Sequence, residues 1–283
     1  MFKTALSSCG KEINEELFKA YADADIMAME ISLAYDQCDE FDYKKALELS
    51  KKYGVELWSY HLPFGPFETN DISNPDIAGQ TVEYLSGLIK KGSDIGIDKY
   101  IIHPSGEPIA DEDRKMRMEC SKDSLFKLAE IAKACGSVLA VEDLPRTCLG
   151  RNSAEIKELT DVHPDLGVCF DTNHLLSEKI EEFILSVGDR IITTHVSDYD
   201  FVNERHWLPG EGKINWASLI DALKKVNYQG VWLYEIGFAC PKNIIRDRSL
   251  NCEDFARNAR ELFEGKEITV FSKHIENLGF SND

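Results

Sequence analysis

Basic residues are scarce in this chain: 32 Lys and Arg stand against 50 Asp and Glu, a formal net charge of −18 at pH 7. Affinity for nucleic acid depends on neutralising phosphates with cationic side chains, so this balance argues against a polyanionic partner. Long apolar runs are missing as well. None approaches the roughly 20 residues that a membrane-spanning helix needs, and no membrane association is expected. The eight cysteines lie scattered at positions 9, 38, 120, 135, 148, 169, 240 and 252, with no pair at Cys-x-x-Cys spacing. That distribution suits reduced thiols in a cytoplasm better than a disulfide framework or a zinc ribbon, so a cytoplasmic location is expected. Pro/Gly/Ser-rich linkers and low-complexity segments are also lacking, so nothing divides the chain. The stretch Leu6 to Cys9, "LSSC", superficially resembles a lipoprotein cleavage box. Only five residues precede it, too few for the charged and apolar parts of a signal peptide, and it reads as part of a first strand.

What is present is a regular alternation. The 283 residues are 43% hydrophobic and 29% charged, ample material for a core. Short apolar, β-branched runs predict strands at Phe2 to Ser7, Met27 to Ile31, Val55 to Tyr60 and Lys99 to Ile102, then at Ser137 to Val141, Gly167 to Phe170, Ile191 to Thr194 and Val231 to Tyr234. Helical periodicity fills the gaps: Asn14 to Ala22, a helix capped by Asp42 and running to Tyr53, Pro75 to Gly92, Asp113 to Ala134, a short helix capped by Ser153, Lys179 to Val187, Trp216 to Val226 and Cys252 to Phe263. Eight strands, each followed by a helix, predict an α/β fold: a single (β/α)8 TIM barrel over residues 1–283, with 265–283 as a C-terminal tail. An open doubly wound sheet is the alternative. Against it, no Gly-x-Gly-x-x-Gly follows the first strand, and polar strand ends occur on six strands rather than at one crevice.

Those strand ends are the chemistry. The third to the eighth strands run out on His61, His103, Glu142, Asp171, His195 and Glu235. In a barrel all six converge on the C-terminal mouth, where active sites form. A lone His at a strand end is most often a hydrogen-bonded structural residue, and an unpaired Glu after an apolar run is costly. Two Glu, one Asp and several His cannot share a dry mouth without a cation, because the carboxylates would repel or hold protons. Three carboxylates and one imidazole (Glu142, Asp171, His195, Glu235) make an oxygen-rich set suited to Mn²⁺, Mg²⁺ or Co²⁺, with Zn²⁺ also possible. His174, three residues after Asp171, and His206 and Glu204, on the loop after strand seven, can reach the same place; Glu204 is equally compatible with a surface loop.

The motifs "HLP", "HPSGEP", "VEDLP", "CFDTNH", "THVSD", "HWLPGEG" and "YEI" resemble, in order, those of the xylose-isomerase-like barrel superfamily. This group includes sugar phosphate isomerases and epimerases, ketose 3-epimerases, inosose-processing enzymes and the endonuclease IV family. The resemblance runs from the first strand to about Glu235. It implies that Glu142, Asp171, His195 and Glu235 hold one divalent metal ion, and that His61, His103, His174 and His206 contact substrate. It also implies a second possibility: His61, His103, His174 and His206 match zinc positions of the endonucleases, while Glu204 stands where those have Asp.

The expected activity is that of a metal-dependent sugar, sugar phosphate or inosose isomerase or epimerase. Glu142 and Glu235 would move a proton at carbon through an enediolate stabilised by the metal. Return from the opposite face inverts the centre, and return at the adjacent carbon isomerises aldose and ketose. Expulsion of a β-hydroxyl would make the same apparatus a dehydratase. An endonuclease IV-like zinc phosphodiesterase at abasic DNA is the other reading, and the acidic balance speaks against it. The expected partner is a small sugar or polyol, and a homo-oligomer is compatible with the sequence. Trp58, Phe64, Phe67, Trp207 and Phe238 are candidate apolar walls of the mouth. Arg146, Arg151, Arg205 and Lys213 are candidate phosphate binders.

Overall fold

The computed structural model describes residues 2–275. Eight parallel strands form one sheet, hydrogen-bonded in the order β7-β6-β5-β4-β3-β2-β1-β8. They are β1 (Thr4–Ser7), β2 (Ala28–Ser32), β3 (Glu56–His61), β4 (Lys99–Ile102), β5 (Val138–Glu142), β6 (Gly167–Asp171), β7 (Ile191–His195) and β8 (Trp232–Tyr234). Just past its last residue β7 bridges to β8, the Val196 amide donating to Leu233 O at 2.7 Å and the Glu235 amide to Val196 O at 3.3 Å. That closes the (β/α)8 barrel.

The helices are α1 (Glu15–Asp23), α2 (Tyr43–Tyr53), α3 (Ala78–Ser93), α4 (Arg114–Ala134), α5 (Ser153–Thr160), α6 (Ile180–Val187), α7 (Trp216–Lys225) and α8 (Cys252–Glu264). Parallel strands under a ring of helices are buried on both faces, which is why most read as near-continuous apolar runs, Glu30 in β2 and Ser59 in β3 being polar interruptions. The outward faces, including Leu6, Met29, Tyr60, Ile102, Val141 and Phe170, join the helices in one continuous core. Inside, Ala5, Ala28, Val231 and Leu233 pack with Trp58. Ile101, Ala140 and Cys169 form a second internal cluster with Ile192. Trp58 therefore plugs the barrel, its Nε1 donating to Thr193 Oγ1 at 3.1 Å, and is not a wall of the mouth.

Two helix starts differ from expectation. Asn152, not Ser153, caps α5, its side chain accepting from the Glu155 amide at 3.0 Å. Ser153 turns instead to Glu178 at 2.7 Å. Residues 75–77 form a turn hydrogen-bonded to Asn74 O, so α3 begins three residues later than its pattern suggests.

The region after Gly265 folds back. β9 (Ile244–Arg246) and β10 (Ser272–His274) pair antiparallel. His274 Nε2 donates to Glu211 O at 2.5 Å, and its ring sits 4.8 Å from that of Trp207. Ile268 packs so tightly on Gly210 that a Cβ there would fall 2.7 Å from it. Trp207 is thus buried under the chain's own C-terminal strap rather than lining the mouth. The rest of the tail, 276–283, lies outside the described residues.

Asp198 organises the long β7–α7 loop beneath this strap. Its carboxylate accepts from the amides of Tyr199 (2.9 Å), Gly210 (2.8 Å) and Ile214 (3.2 Å) and from Trp216 Nε1 (3.0 Å). Only glycine fits at 212, where a Cβ would meet Asp198 Oδ1 at 2.2 Å. Asp198→Ala strands several buried donors and is expected to lower the unfolding free energy by about 3 kcal/mol or more. Urea denaturation measures this, and a loss within error of zero would remove Asp198 as the hub of the loop.

Candidate metal centre and active site

Barrel closure aims the strand ends inward at one place. Donor atoms of Glu142, Asp171, His195 and Glu235 all lie within 4.8 Å of one another. His195 Nδ1 is 3.0 Å from Glu142 Oε1, 3.4 Å from Glu235 Oε2 and 3.9 Å from Asp171 Oδ2. Glu142, Asp171 and His195 are buried, and Glu235 keeps 12% of its side chain exposed. The four side chains predicted to meet therefore do so.

Further polar groups surround them. His61 Nε2 donates to Glu142 Oε2 at 3.1 Å, and its Nδ1 donates to Leu62 O at 2.9 Å, so both its ring nitrogens are engaged. His103 Nε2 lies 3.3 Å from the same Glu142 oxygen. His174 Nδ1 donates to Asp143 O at 2.7 Å, which turns Nε2 toward Glu204 Oε1 at 3.1 Å. His206, 3.9 Å from Glu204, donates from Nδ1 to Glu235 O at 3.3 Å. Glu204 is part of this cluster and not a surface loop residue. Of the further overlapping groups of potential ligands, two lie mostly outside the central four, His61–His103–Glu142 and His174–Glu204–His206, the first sharing Glu142 with them.

The electrostatics follow from carboxylates held in a dry pocket. Burial pushes the Glu142 carboxyl up, but His195 and His103 outweigh it and hold it well below the usual range. Burial alone would discharge His61; its bond to Glu142 raises it to about 9. His195 sits well above its ordinary value, since Cys169, Glu235, Glu30 and Glu142 together overcome desolvation. Asp171 is pushed up to about 6 by burial, an effect that His174 offsets while Glu235 and Glu142 add to it. Asp171 Oδ1 accepts from the Asn173 amide at 2.6 Å, yet its buried Oδ2 has no hydrogen-bond donor. An orphaned carboxylate oxygen facing two other carboxylates is what a divalent cation would satisfy, and the O₃N donor set suits one.

Two neighbours went unforeseen. Glu30, in the middle of β2, is wholly buried and touches His195 Nε2. Its signal was available: a lone carboxylate between Met29 and Ile31, on the inward-facing alternation with Ala28 and Ser32. Lys11, after β1, donates to Ser7 O (2.9 Å), Cys9 O (3.2 Å) and Ile236 O (2.9 Å), tying the first strand to the residue after Glu235.

The cluster opens into a cavity of about 1180 Å³ lined also by Phe64, Tyr35, Asp36 and Glu12. Phe64, 54% exposed, stacks on His103 at 4.6 Å and is the predicted aromatic that does form a wall. Phe67 packs into a small pocket below, and Phe238 lies under Lys11. The four candidate phosphate binders do not line this cavity. Arg146 is tied to Glu107, Glu204 and Asn203, Arg205 to Asp200 and Arg151 to Glu155.

A family model described as xylose isomerase-like TIM barrel matches residues 18–250. An uncharacterized protein of Methanocaldococcus jannaschii is 26% identical over 197 residues, 66% of this chain and 67% of that one. The D-psicose 3-epimerase of Enterocloster bolteae is 29% identical over 119 residues, 40% of this chain and 38% of that one. Among solved structures, a D-tagatose 3-epimerase-like protein superposes with a TM-score of 0.79 at 22% identity, covering 93% of this chain and 97% of that one.

Divalent metal titrated into metal-free protein is expected to displace protons, because the raised His195 must give up its Nδ1 proton before it can ligate. Affinity should rise by about tenfold per pH unit between about pH 6 and 8, for one proton released. Calorimetry in two buffers of different ionisation enthalpy counts the protons. A pH-independent affinity would count against this donor set.

Proposed function

The chain belongs to the xylose isomerase-like TIM-barrel family, and we propose that it is a divalent-metal-dependent sugar isomerase or epimerase. One observation carries the reading: the four-membered donor cluster with its orphaned Asp171 oxygen, opening onto a cavity. The epimerase relative and the epimerase-like fold support it. Glu142, Asp171, His195 and Glu235 would hold one ion, Mn²⁺ being the best match to three carboxylates and one imidazole. Bound there, the ion would polarise a substrate carbonyl and acidify the neighbouring C–H.

The chain's own groups do the rest. Glu142 and Glu235 both face the cavity. One takes the proton from the substrate carbon, and the other returns a proton from the opposite face, which inverts the centre. His61, closed off by its two hydrogen bonds, holds Glu142 rather than substrate. His206 lies at the cavity wall with Nδ1 on Glu235 O, which leaves Nε2 to donate to a substrate oxygen, while His174, engaged at both ring nitrogens, orients Glu204. Phe64 offers an apolar face to the sugar carbons and keeps water off one side. Among the described residues Lys11 is the one lysine or arginine lining the cavity, and its protons already serve three carbonyls. The pocket therefore suits an uncharged polyol better than a phosphate ester.

The two additional ligand groups favour a second reading, a trinuclear zinc phosphodiesterase of the endonuclease IV kind. Metal content separates the two: one Mn-like ion per chain supports the isomerase or epimerase, three zinc ions the nuclease. The scarcity of free cations around the cavity weighs toward the first.

Glu235→Gln is expected to lower kcat by about 10²–10⁴ with the fold intact, as for loss of a proton-transfer group. The assay is deuterium uptake from D₂O into a panel of ketoses and inososes. Near wild-type exchange by the variant would remove Glu235 from the chemistry.

A further inference from the structure

His195 has two ring nitrogens and two sets of neighbours. Nδ1 faces Glu142, Glu235 and Asp171. Nε2 points the other way, across the barrel interior, to Glu30 on β2, at 3.1 Å from Oε1 and 3.2 Å from Oε2. The two strands are not neighbours: β1 and β8 lie between β2 and β7. We propose that Glu30 is a positioning residue for His195, accepting the Nε2 proton and so committing Nδ1 to the carboxylate cluster as the metal-ligating nitrogen.

A neutral imidazole carries one proton, and which nitrogen keeps it is set by the hydrogen bond that the other side of the ring makes. A buried carboxylate at Nε2 leaves the Nδ1 lone pair for the cation. Glu30 is itself held in place: Ser59 Oγ, on the adjacent β3, donates to Glu30 Oε2 at 2.7 Å. The ring is also held on one face, where His61 stacks on it at 5.5 Å and 13°. Ser59, Glu30 and His195 are all fully buried, so no water competes for either contact. A residue that merely filled the core would have no reason to be a carboxylate there, since an isolated charge between apolar strands is costly. The negative charge also strengthens Nδ1 as a donor by polarising the ring.

The inference rests on the cluster being a metal centre, and the experiment separates the two. Full-length protein labelled with ¹⁵N-histidine and loaded with Zn²⁺ reports the protonation of each ring nitrogen. His195, assigned with the H195Q variant, is expected to show a protonated Nε2 and a ligating Nδ1. Coordination through Nε2 overturns the inference. In a Co²⁺ titration, Glu30→Gln is expected to weaken binding by about 10–100-fold while the metal-free circular dichroism is unchanged. Equal affinity of wild type and variant overturns it as well. If the variant does not fold, the wild-type nitrogen spectrum decides alone. Wild type that binds neither ion brings down the metal reading itself, and this inference with it.

Discussion

Burying like charges together is the constraint on which this molecule turns. Glu142, Asp171 and Glu235 crowd one imidazole at the bottom of a pocket, and Glu30 approaches the same ring from behind. In water such carboxylates would repel only weakly; inside a barrel the penalty is many-fold larger. The molecule meets it by surrounding Glu142 with four histidines, of which His61 and His195 hydrogen-bond to it. Three of them, His61, His174 and His195, are driven to hold protons, whereas burial lowers His103. A divalent cation would do the same work with a single ion and release the protons, which is the physical basis for reading the cluster as a metal centre.

The rest of the fold serves to keep that cluster rigid. Parallel strands all finish at the same end, so side chains from six of them arrive at one mouth. Asp198 and its bound amides hold the β7–α7 loop, the C-terminal strap covers that loop, and the loop in turn presents Glu204 and His206. Stability invested far from the chemistry thus fixes the angle of residues at its edge.

The same charge logic bears on what enters. An acidic cavity whose single lysine among the described residues is already engaged, and whose nearby Arg146 is locked between Glu107 and Glu204, has little to offer a phosphate. It has carboxylates, imidazoles and one exposed phenyl face, the groups with which hydroxyls and C–H edges are recognised.

Much of this was legible in one dimension. Alternating apolar runs set the strand and helix order, because burial on both faces leaves only one kind of strand sequence. The motif-bearing strand ends named Glu142, Asp171, His195 and Glu235. The cap of α5 lies one residue before the one its pattern suggests, since Asn152 and Ser153 are both good caps and only the backbone angle chooses between them. Trp58 and Trp207 were misplaced, because a residue's type does not say which end of the barrel it faces. Glu30 passed unnoticed for a deeper reason. Local pattern shows that a carboxylate lies on an inward face, but its partner stands on a strand that is neither next in sequence nor next in the sheet. The chain alone determined which residues could do chemistry; closing the sheet decided which atoms touch, because only closure brings β2 and β7 face to face.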